Sequence, residues 1–414
     1  MNLAYDIAIV GAGIAGSALA CSLATAVKEK PLRIALIEAQ TIGDTLPSCD
    51  EGINDFDARV SALTVGSQQF FESIGVWSDI VGRRACGFDK MTVWDAEGTG
   101  HIEFDAADVR ATKLGHIVEN RVTVGALHQR IKTLSGVDVF SQQAVAELHL
   151  ASTASRSDLS SLSLADGRTL EAQLIVAADG SNSPLRKMAG LPVREWSYQQ
   201  SAIVCVVQTS QSHEATAWQR FTEHGPLAFL PLSLPQSDKN FCSIVWSQTD
   251  VENALTIAMD DHQFSQALSR AFEYRLGEIK NVSKRFSFPL HQRHAIDYVR
   301  PNFALVADAA HAIHPLAGQG INLGLADVKA LTEIIIAGHQ RGQILGDIGL
   351  LKRYQRQRKA DNLAMMAAVE GLKRLFQPLP LPLRWLRNVG MNIFHEQSQL
   401  KNKVIKHAMG IDRQ

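Results

Sequence analysis

Three glycines and one acidic residue near the amino terminus form a pattern that can hold a dinucleotide. Gly11, Gly13 and Gly16 follow the apolar run Tyr5–Val10, and Glu38 ends a second apolar run. The first glycine permits a tight turn, the second lets a pyrophosphate approach N–H groups at a helix N-terminus, and the third permits close packing of helix on strand. Glu38 is expected to accept hydrogen bonds from a ribose diol, and an acid there favours FAD or NAD over NADP.

The elements that must position this pattern are strands buried in a parallel sheet. Tyr5–Val10 and Arg33–Glu38 are short continuous apolar runs, joined by small and apolar residues that predict a helix. Leu174–Ala178 and Phe303–Ala307 repeat the buried-strand pattern further along the chain. Segments rich in β-forming residues between positions 201 and 247 predict a separate sheet. The sequence therefore predicts an α/β protein with a second sheet inserted into a dinucleotide-binding domain.

The composition of the whole chain excludes several classes of protein. The 414 residues, 46% hydrophobic and 20% charged, are typical of a globular protein of two or three domains. The formal net charge of -1 predicts no general attraction to nucleic acid. No apolar run is long enough to span a membrane and no secretion signal is evident, so we expect a cytoplasmic protein. The five scattered cysteines are expected to be reduced thiols.

Residues 350–414 form a basic region with a helical pattern. They contain 13 Lys and Arg against 4 Asp and Glu, a charge of about +9. Such a region can bind anionic lipid, and the alternative is a solvated helical face packed on the rest of the protein. The cations expected at lipid are Lys352, Arg353, Arg356, Arg358, Lys359, Lys373, Arg374, Arg384, Arg387, Lys401, Lys403 and Lys406, with apolar contact from Leu375, Phe376, Leu386, Ile393 and Phe394.

Two further motifs, taken with the glycine pattern, resemble those of the class A flavoprotein aromatic hydroxylases, which have the para-hydroxybenzoate hydroxylase fold. Ala177–Arg186 is similar to their DG motif, and Val306–His311 resembles their second FAD motif. Where that motif usually has a glycine before its aspartate, this chain has Ala307, which predicts local crowding of the backbone. Within the fold, His314–Asp327 is similar to the signature of the ubiquinone-biosynthesis hydroxylases.

The resemblance implies non-covalently bound FAD. It implies that Asp308 accepts a ribityl hydroxyl and that backbone N–H groups at Gly318–Gly320 face the flavin pyrimidine edge. Arg59 resembles the family arginine near the flavin, and Asn120 lies in a similar FAD-contacting segment. From the residues alone, a surface salt bridge for Arg59 and a helix cap for Asn120 remain alternatives. The expected cofactor-binding residues are Gly11, Gly13, Gly16, Glu38, Arg59, Asn120, Asp179, Asp308, Pro315, Gly318, Gln319, Gly320 and Asn322.

The implied activity is monooxygenation of an aromatic ring, in which the reduced flavin captures O₂ as a C4a-hydroperoxide that attacks a phenol ortho to its hydroxyl. Leu114–Asn120 and Leu227–Leu232 are most similar to bacterial hydroxylases acting at ring position C5 of a polyprenylphenol, and positions C1 and C6 are alternatives. The reductant is expected to be NAD(P)H or a separate electron-transfer protein. No catalytic acid or base follows from the sequence. An NAD-dependent dehydrogenase and a non-catalytic flavin-binding scaffold are the competing hypotheses.

The expected architecture is a Rossmann-type FAD domain with an inserted β-sheet substrate domain and a C-terminal helical region. The predicted boundaries are 1–85, 105–190 and 290–345 for the FAD domain, 86–104 and 191–289 for the substrate domain, and 346–414 for the helical region.

Three residues are candidates for the pocket that holds the ring: Phe229, Pro231 and Trp246, with ordinary sheet core as the alternative. The pair His311 and His314 is expected to pack a turn rather than bind a metal, because no ligand cluster accompanies it. The expected partners are a polyprenylphenol and O₂, with substrate delivered at the membrane surface or by other ubiquinone-biosynthesis proteins. No nucleic-acid partner is expected, and a homo-oligomer is an open alternative.

Overall fold

The two apolar runs around the glycine pattern pair with each other in a parallel sheet. The computed structural model describes residues 3–27, 30–43, 52–154, 159–234, 240–313 and 318–410. Strand β1 (Leu3–Val10) lies between β2 (Ile34–Glu38) and β11 (Thr169–Ala177), parallel to both. Strand β19 (Phe303–Leu305) runs parallel to β11 on its other side. These central strands are buried on both faces, which is why their sequences are continuously apolar.

The remaining strands of this sheet extend it at both edges and in one antiparallel corner. They are β8 (Val137–Ser141), β9 (Val145–His149), β10 (Ser160–Leu164) and β18 (Val299–Arg300). The order is β18-β19-β11-β1-β2-β8, with β10 pairing with β11 and β9. The strands of this sheet are not consecutive in the chain. The segment between β2 and β8 and the segment between β11 and β18 leave the sheet and return to it.

Strands from those two segments, together with one strand that follows β19, form a second sheet of nine strands. Its members are β5 (Lys90–Asp95), β6 (His101–Asp105), β12 (Val193–Thr209), β13 (Thr216–Thr222), β14 (Gly225–Leu232), β15 (Phe241–Thr249), β16 (Ile279–Val282), β17 (Phe286–Ala295) and β20 (His311–Ala312). Their order is β20-β17-β12-β15-β14-β13-β5-β6, with β16 pairing with β12. The separate sheet predicted over positions 201–247 is therefore present.

A small three-stranded sheet and the helices complete the described fold. The small sheet contains β3 (Val60–Thr64), β4 (Ala85–Phe88) and β7 (Gly115–Glu119), in the order β3-β7-β4. The α-helices are α1 (Ile14–Ala26), α2 (Val65–Ser73), α3 (Trp77–Val81), α4 (Asn120–Lys132), α5 (Pro184–Met188), α6 (Asp250–Ile257), α7 (Asp261–Ala271), α8 (Gln319–Gln340), α9 (Ile348–Leu375), α10 (Leu381–Glu396) and α11 (Ser398–Met409). Within the described ranges, no helix has the length and hydropathy needed to cross a bilayer.

The C-terminal helices bury several residues that the sequence assigned to a lipid-facing surface. Arg358, Arg387 and Lys401 are each less than 10% exposed, and each pairs with an aspartate of the same chain. The ring of Phe376 is also buried, with its centroid 4.0 Å from that of Phe221. These three cations and Phe376 are therefore not available to lipid, because their helices pack on the rest of the fold.

Candidate functional site

The glycine loop between β1 and α1 has two glycines required by packing and one beside open space. Gly11 has φ 103°, and a Cβ there would lie 2.4 Å from the carbonyl oxygen of Ala178. A Cβ at Gly16 would lie 1.9 Å from the carbonyl oxygen of Gly11. A Cβ at Gly13, at the N-terminus of α1, would meet nothing within 4 Å. The loop therefore leaves room for a ligand at its second glycine, where helix N–H groups can bind an anion.

Glu38 is held against this loop by the backbone. Its Oε2 accepts a hydrogen bond from the Ala12 N–H at 2.7 Å, and its Oε1 accepts one from the Gln40 N–H at 2.9 Å. Each carboxylate oxygen has a second lone pair. The carboxylate is thus oriented beside the loop and keeps acceptor capacity for a ribose diol.

Asp179 lies beside the same loop, because Ala178 continues from β11 and donates its N–H to the carbonyl of Val10. Oδ2 of Asp179 accepts from the Leu185 N–H at 3.1 Å. Its Oδ1 is buried and has no hydrogen-bond partner in the part of the chain that the structure describes. Burial raises the pKa of this carboxyl. A buried acceptor without a donor is a place where a ligand hydroxyl or N–H is expected to bind.

Arg186 fastens the second motif to the third. Its guanidinium, 3% exposed, donates to the carbonyl of Ala309 at 2.7 Å and to the carbonyl of Ser181 at 3.0 Å. In addition, the Val306 N–H donates to the carbonyl of Ala177. The three motifs, far apart in the sequence, thus meet at the carboxyl ends of adjacent parallel strands, where open α/β sheets bind ligands.

Asp308 follows β19 in a short helical turn with its side chain accessible. Burial by the surrounding protein raises the pKa of the Asp308 carboxyl, and the nearby charges of His311 and Arg59 oppose that shift. The structure therefore brings Arg59 within electrostatic reach of Asp308. Arg59 itself is exposed.

Asn120 lies next to Arg59, and it does not cap its helix. The residue before α4 is Glu119, and Asn120 is the first helical residue. Its Oδ1 accepts from the Ser61 hydroxyl at 2.6 Å, and its N–H donates to the carbonyl of Arg59 at 3.0 Å. The helix-cap alternative for Asn120 is therefore wrong. Ser61 itself lies in β3, and α2 begins after that strand, at Val65.

Ala307 adopts the left-handed backbone conformation that the usual glycine would favour. Its φ is 53°, and its N–H donates to Oδ2 of Asp327 at 3.1 Å. The space for its methyl group comes from Gly324 on α8, where a Cβ would lie 2.7 Å from the Cβ of Ala307. The crowding expected at Ala307 is accommodated by this glycine on the facing helix.

Asp327 is the centre of a buried polar network that the sequence did not reveal. Its carboxylate accepts from His311 Nε2 at 2.5 Å, from Arg358 Nε at 2.7 Å and from Asn362 Nδ2 at 3.2 Å. Burial opposes ionisation, yet His311 and Arg358 hold the pKa of Asp327 below its ordinary value. The network joins the turn that carries Asp308 to α8 and α9. Its only sequence signal was an Asp in a mostly apolar helix.

The beginning of α8 has free space beside its backbone, and one of its side chains, Asn322, is hydrogen-bonded to the protein. Gly318 precedes the helix with φ 62°, and a Cβ at Gly320 would meet nothing within 4 Å. The amide of Asn322 accepts from the Thr64 N–H at 3.1 Å and donates to the carbonyl of Ala62 at 2.8 Å. Asn322 therefore positions α8 on β3 rather than presenting its amide to a ligand.

Two residues singled out in the sequence, Pro315 and His314, lie outside the described residues. Within the described ranges, no group of three or more His, Cys, Asp or Glu side chains is arranged to hold a metal ion.

An apolar cavity of about 200 Å³ lies beside the start of α8, between the small sheet and the nine-stranded sheet. Helix α11 forms its remaining wall. The lining residues are Val60, Ala62, Leu63, Thr64, Phe88, Met91, Phe104, Leu114, Ile117, Ala217, Trp218, Gln219, Pro226, Ala228, Leu230, Val245, Gly318, Gln319, Val404, Ile405, Ala408 and Met409. No charged residue is among them, so the cavity suits an uncharged apolar ligand.

The three candidates for a ring pocket do not line this cavity. Phe229 stacks on Phe272, with ring centroids 3.7 Å apart, and Trp246 belongs to the same buried cluster under α7. Pro231 pairs with Cys242, another member of that cluster. Side chains alternate between the two faces of a strand, and it is Ala228 that faces the cavity from β14. Phe229 and Trp246 therefore lie in the sheet core under α7 and not on the wall of this cavity.

Comparison with known proteins shows the family. Residues 4–369 match the family model described as FAD binding domain. The chain is 35% identical over 414 residues to 3-demethoxyubiquinol 3-hydroxylase of Escherichia coli, covering 99% of this chain and 100% of the relative. It is 33% identical over 447 residues to the mitochondrial ubiquinone biosynthesis monooxygenase COQ6 of Danio rerio, covering 98% of this chain and 90% of the relative. The chain belongs to the FAD-dependent aromatic hydroxylases.

A solved structure supports the fold of this hydroxylase. The p-nitrophenol 4-monooxygenase PnpA of Pseudomonas putida matches with a TM-score of 0.78 at 17% identity, covering 100% of both chains. The expected α/β fold, with its FAD-binding domain and C-terminal helices, is confirmed, as is the expectation of an FAD-dependent monooxygenase. The exact domain boundaries remain predictions.

The described residues of the hydroxylase fit FAD. Open space lies at two helix N-termini, beside Gly13 at the start of α1 and beside Gly320 at the start of α8. The buried Asp179 Oδ1 lacks a donor within the described ranges, and Asp308 is accessible at the cleft. When bound, FAD supplies the redox and oxygen chemistry, and the protein's residues bind it, orient the ring and exclude water.

Proposed function

We propose that this hydroxylase adds one oxygen atom to the aromatic ring of a polyprenylphenol in ubiquinone biosynthesis. The observation that carries the proposal is the uncharged apolar cavity whose wall includes Gly318 and Gln319 at the start of α8. The relatives at 35% and 33% identity, over nearly the whole chain, are named for hydroxylation of 3-demethoxyubiquinol and for ubiquinone biosynthesis, which supports a ring hydroxylation in that pathway. In the overall reaction, one atom of O₂ is inserted into a ring C–H bond as a hydroxyl group, and the other leaves as water after taking up two electrons from the reductant and two protons.

Within the cavity, Gln219 is the residue we expect to orient the ring. The residue is 6% exposed, and it places a side-chain amide in an otherwise mostly apolar wall. It lies on β13 beside the apolar Ala217 and Ala228. A phenol hydroxyl can both donate to and accept from an amide, so one such contact fixes which ring carbon faces the start of α8.

Replacing Gln219 by Leu is expected to lower kcat/KM at least tenfold and to scatter the site of oxygen insertion, because the ring loses its polar anchor. Product analysis by mass spectrometry and NMR measures both effects. The matched control is Gln208→Leu on β12, whose side chain bonds to Asn281 away from the cavity. An unaltered product pattern in the Gln219 variant would remove this residue from the mechanism.

For the ring position we propose C5, with C1 and C6 as the alternatives. The test is expression in hosts that each lack one ring hydroxylase, followed by mass spectrometry of the accumulated quinones. Restoration only in the host without C5 hydroxylation supports the proposal. If ubiquinone is restored only in a host that lacks another ring hydroxylase, the ring position is that of the missing enzyme. If ubiquinone is restored in no host, the proposed function is contradicted.

The reductant we propose is NAD(P)H binding transiently. Anaerobic mixing with NADH or NADPH is expected to bleach the flavin absorbance. If neither bleaches it while a reduced electron-transfer protein does, the proposal for the reductant is wrong.

We also propose that helix α10 rests on the surface of a bilayer. Its polar side faces inward, where Arg387 and Asn388 bond to the carboxylate of Asp95 at 2.8 and 3.0 Å. Its outward side carries large apolar residues, including Leu381, 79% exposed, and Trp385, 68% exposed. An exposed apolar patch of this kind marks an interaction surface, and tryptophan is favoured at the membrane interface. Because a polyprenylphenol resides in the bilayer, lipid is the occupant we propose.

Flotation with vesicles of phosphatidylcholine and phosphatidylglycerol tests this contact. Replacing Trp385 and Leu386 by Ser is expected to lower the bound fraction severalfold. The matched control replaces Val251 and Leu255 by Ser, since these exposed apolar residues lie on α6. Equal flotation of both variants and the wild type would contradict lipid binding. A change in molecular mass without a change in flotation would instead identify a second copy of the chain as the occupant.

A further inference from the structure

The apolar cavity of about 200 Å³ beside the start of α8, which we call the ring cavity, opens to solvent along one helix. Among the lining residues in the described ranges, Val404 and Ala408 are exposed, and the others are buried or half-buried. These two residues lie four positions apart on α11, and Leu400, 53% exposed, lies four positions earlier. Residues spaced by four share one face of a helix. We call Leu400, Val404 and Ala408 the α11 stripe; it leads from the mouth of the cavity outward.

The size of the cavity requires such an opening. Drug-sized ligands occupy pockets of roughly 300–1,000 Å³, and this cavity holds about 200 Å³. A phenol ring with the first part of a prenyl chain fits that volume, and a chain of many isoprene units does not. The rest of the chain must therefore pass through the mouth.

We propose that the prenyl chain leaves the ring cavity past Val404 and Ala408 and lies along Leu400, so that the α11 stripe selects substrates by chain length. This inference rests on the proposed function, because it assumes a prenylated phenol. Helix α11 packs against α10, whose outward apolar face is the proposed bilayer contact. The stripe thus gives the chain an apolar route from the cavity toward the lipid.

A second cavity offers the competing route. It holds about 750 Å³ between α2, α8 and α9, and it shares Thr64, Gln319 and Ala408 with the ring cavity. Its wall includes the charged residues Lys329 and Glu333. Covering charged groups with hydrocarbon costs free energy unless they are paired, so the α11 stripe is the favoured route.

The test compares kcat/KM for 2-octaprenylphenol with kcat/KM for 2-methylphenol. Val404→Trp narrows the mouth and is expected to lower the ratio of the two values at least tenfold, since a difference of one methylene in an apolar pocket is worth about 10–200-fold. Leu400→Asp, outside the cavity on an exposed position, is expected to lower the ratio as well. Ala326→Trp on the wall of the second cavity is the matched control.

An unchanged ratio in both Val404→Trp and Leu400→Asp, or a fall in Ala326→Trp alone, overturns the proposed route. A readout without turnover separates this inference from the proposed function. An octaprenylphenol analogue with a diazirine on its second isoprene unit is expected to label Leu400 or Val404, neither of which lines the second cavity. Labelling of α2 or α8, or no labelling, contradicts the route. Labelling on α11 without hydroxylation of either phenol would contradict the proposed function and leave the route supported.

Discussion

Gly324 and Ala307 make a sharp test of how the second FAD motif is built. Replacing Gly324 by Ala places the new Cβ 2.7 Å from the Cβ of Ala307, about 1 Å closer than the ordinary carbon separation of roughly 3.5–4.0 Å. Overpacking of this kind costs about 1–3 kcal/mol, and alanine in place of a helical glycine returns about 0.5–1 kcal/mol. The free energy of unfolding is therefore expected to fall by about 0–2.5 kcal/mol.

The same substitution has a different expected effect when residue 307 is glycine. Ala307→Gly relieves a left-handed cost of about 1–2 kcal/mol and loses a buried methyl group worth about 0.8 kcal/mol. In that background, the Cβ added at Gly324 meets only the Cα of residue 307, at 3.4 Å. Gly324→Ala is then expected to be neutral or stabilising, which gives a coupling energy of about 1–3 kcal/mol between the two sites.

Urea unfolding of the four proteins at one fixed FAD concentration measures this coupling, because bound cofactor itself adds to stability. Gly371→Ala is the matched control: it lies in α9, and a Cβ there meets nothing within 4 Å. The control is expected to stabilise by about 0.5–1 kcal/mol in either background. If Gly324→Ala destabilises equally with Ala and with Gly at position 307, the contact between the two Cβ atoms does not explain why this chain tolerates Ala307.

Three further predictions concern charged and titrating groups. Glu38→Ala and Asp308→Ala are each expected to weaken FAD binding about tenfold or more, because each removes a charged acceptor worth roughly 1.5–3 kcal/mol; titration of the apo-protein measures this, and unchanged affinity in both contradicts their placement. Asp327→Asn is expected to lower the unfolding free energy by about 1–3 kcal/mol, because it takes the buried carboxylate away from Arg358 and His311 while Asp361 still pairs with the Arg358 guanidinium; an unfolding free energy equal to that of wild type would show that the pair does not hold α9. Burial lowers the pKa of His294 to about 4. Between its ordinary pKa and about 4, the unfolded chain therefore binds more protons at this residue than the folded chain does. The free energy of unfolding is expected to fall by up to about 3 kcal/mol as the pH falls through that range. Urea unfolding at pH 7 and pH 5 measures the direction of this change. His294→Gln is expected to make the unfolding free energy less dependent on pH. If the variant shows the same pH dependence as wild type, that dependence comes from other groups.

The FAD site was predictable from the sequence because its requirements are local. Gly11 and Gly16 each stand where a Cβ would meet backbone within 3 Å, and such a constraint acts through a few consecutive residues. Asp179 and Asp308 follow buried strands that the apolar runs predicted. Parallel strands place their carboxyl ends at one edge of the sheet, so motifs at these ends meet wherever they lie in the chain.

The ring cavity was not predictable because it depends on strand register and on helix packing. Phe229 on β14 and its neighbour Ala228 face opposite sides of the sheet, and a period of two residues carries no sign of which side lines the cavity. Ile405 in the cavity wall belongs to α11, which is far in the sequence from the wall strands β13 and β14 and from α8. No local pattern in β13, β14 or α8 indicates that α11 packs against them.

The sequence by itself determined the dinucleotide loop, the acids that follow the parallel strands and the basic character of the last 65 residues, since all three depend on residue types at short spacings. Only the tertiary structure decided that Arg358 and Arg387 turn inward to buried carboxylates while Leu381 and Trp385 turn outward. The physical reason is that a helix's orientation is set by the partners its faces meet. A buried charge must be paired, and the aspartates that pair these arginines lie on other elements, out of reach of any local pattern.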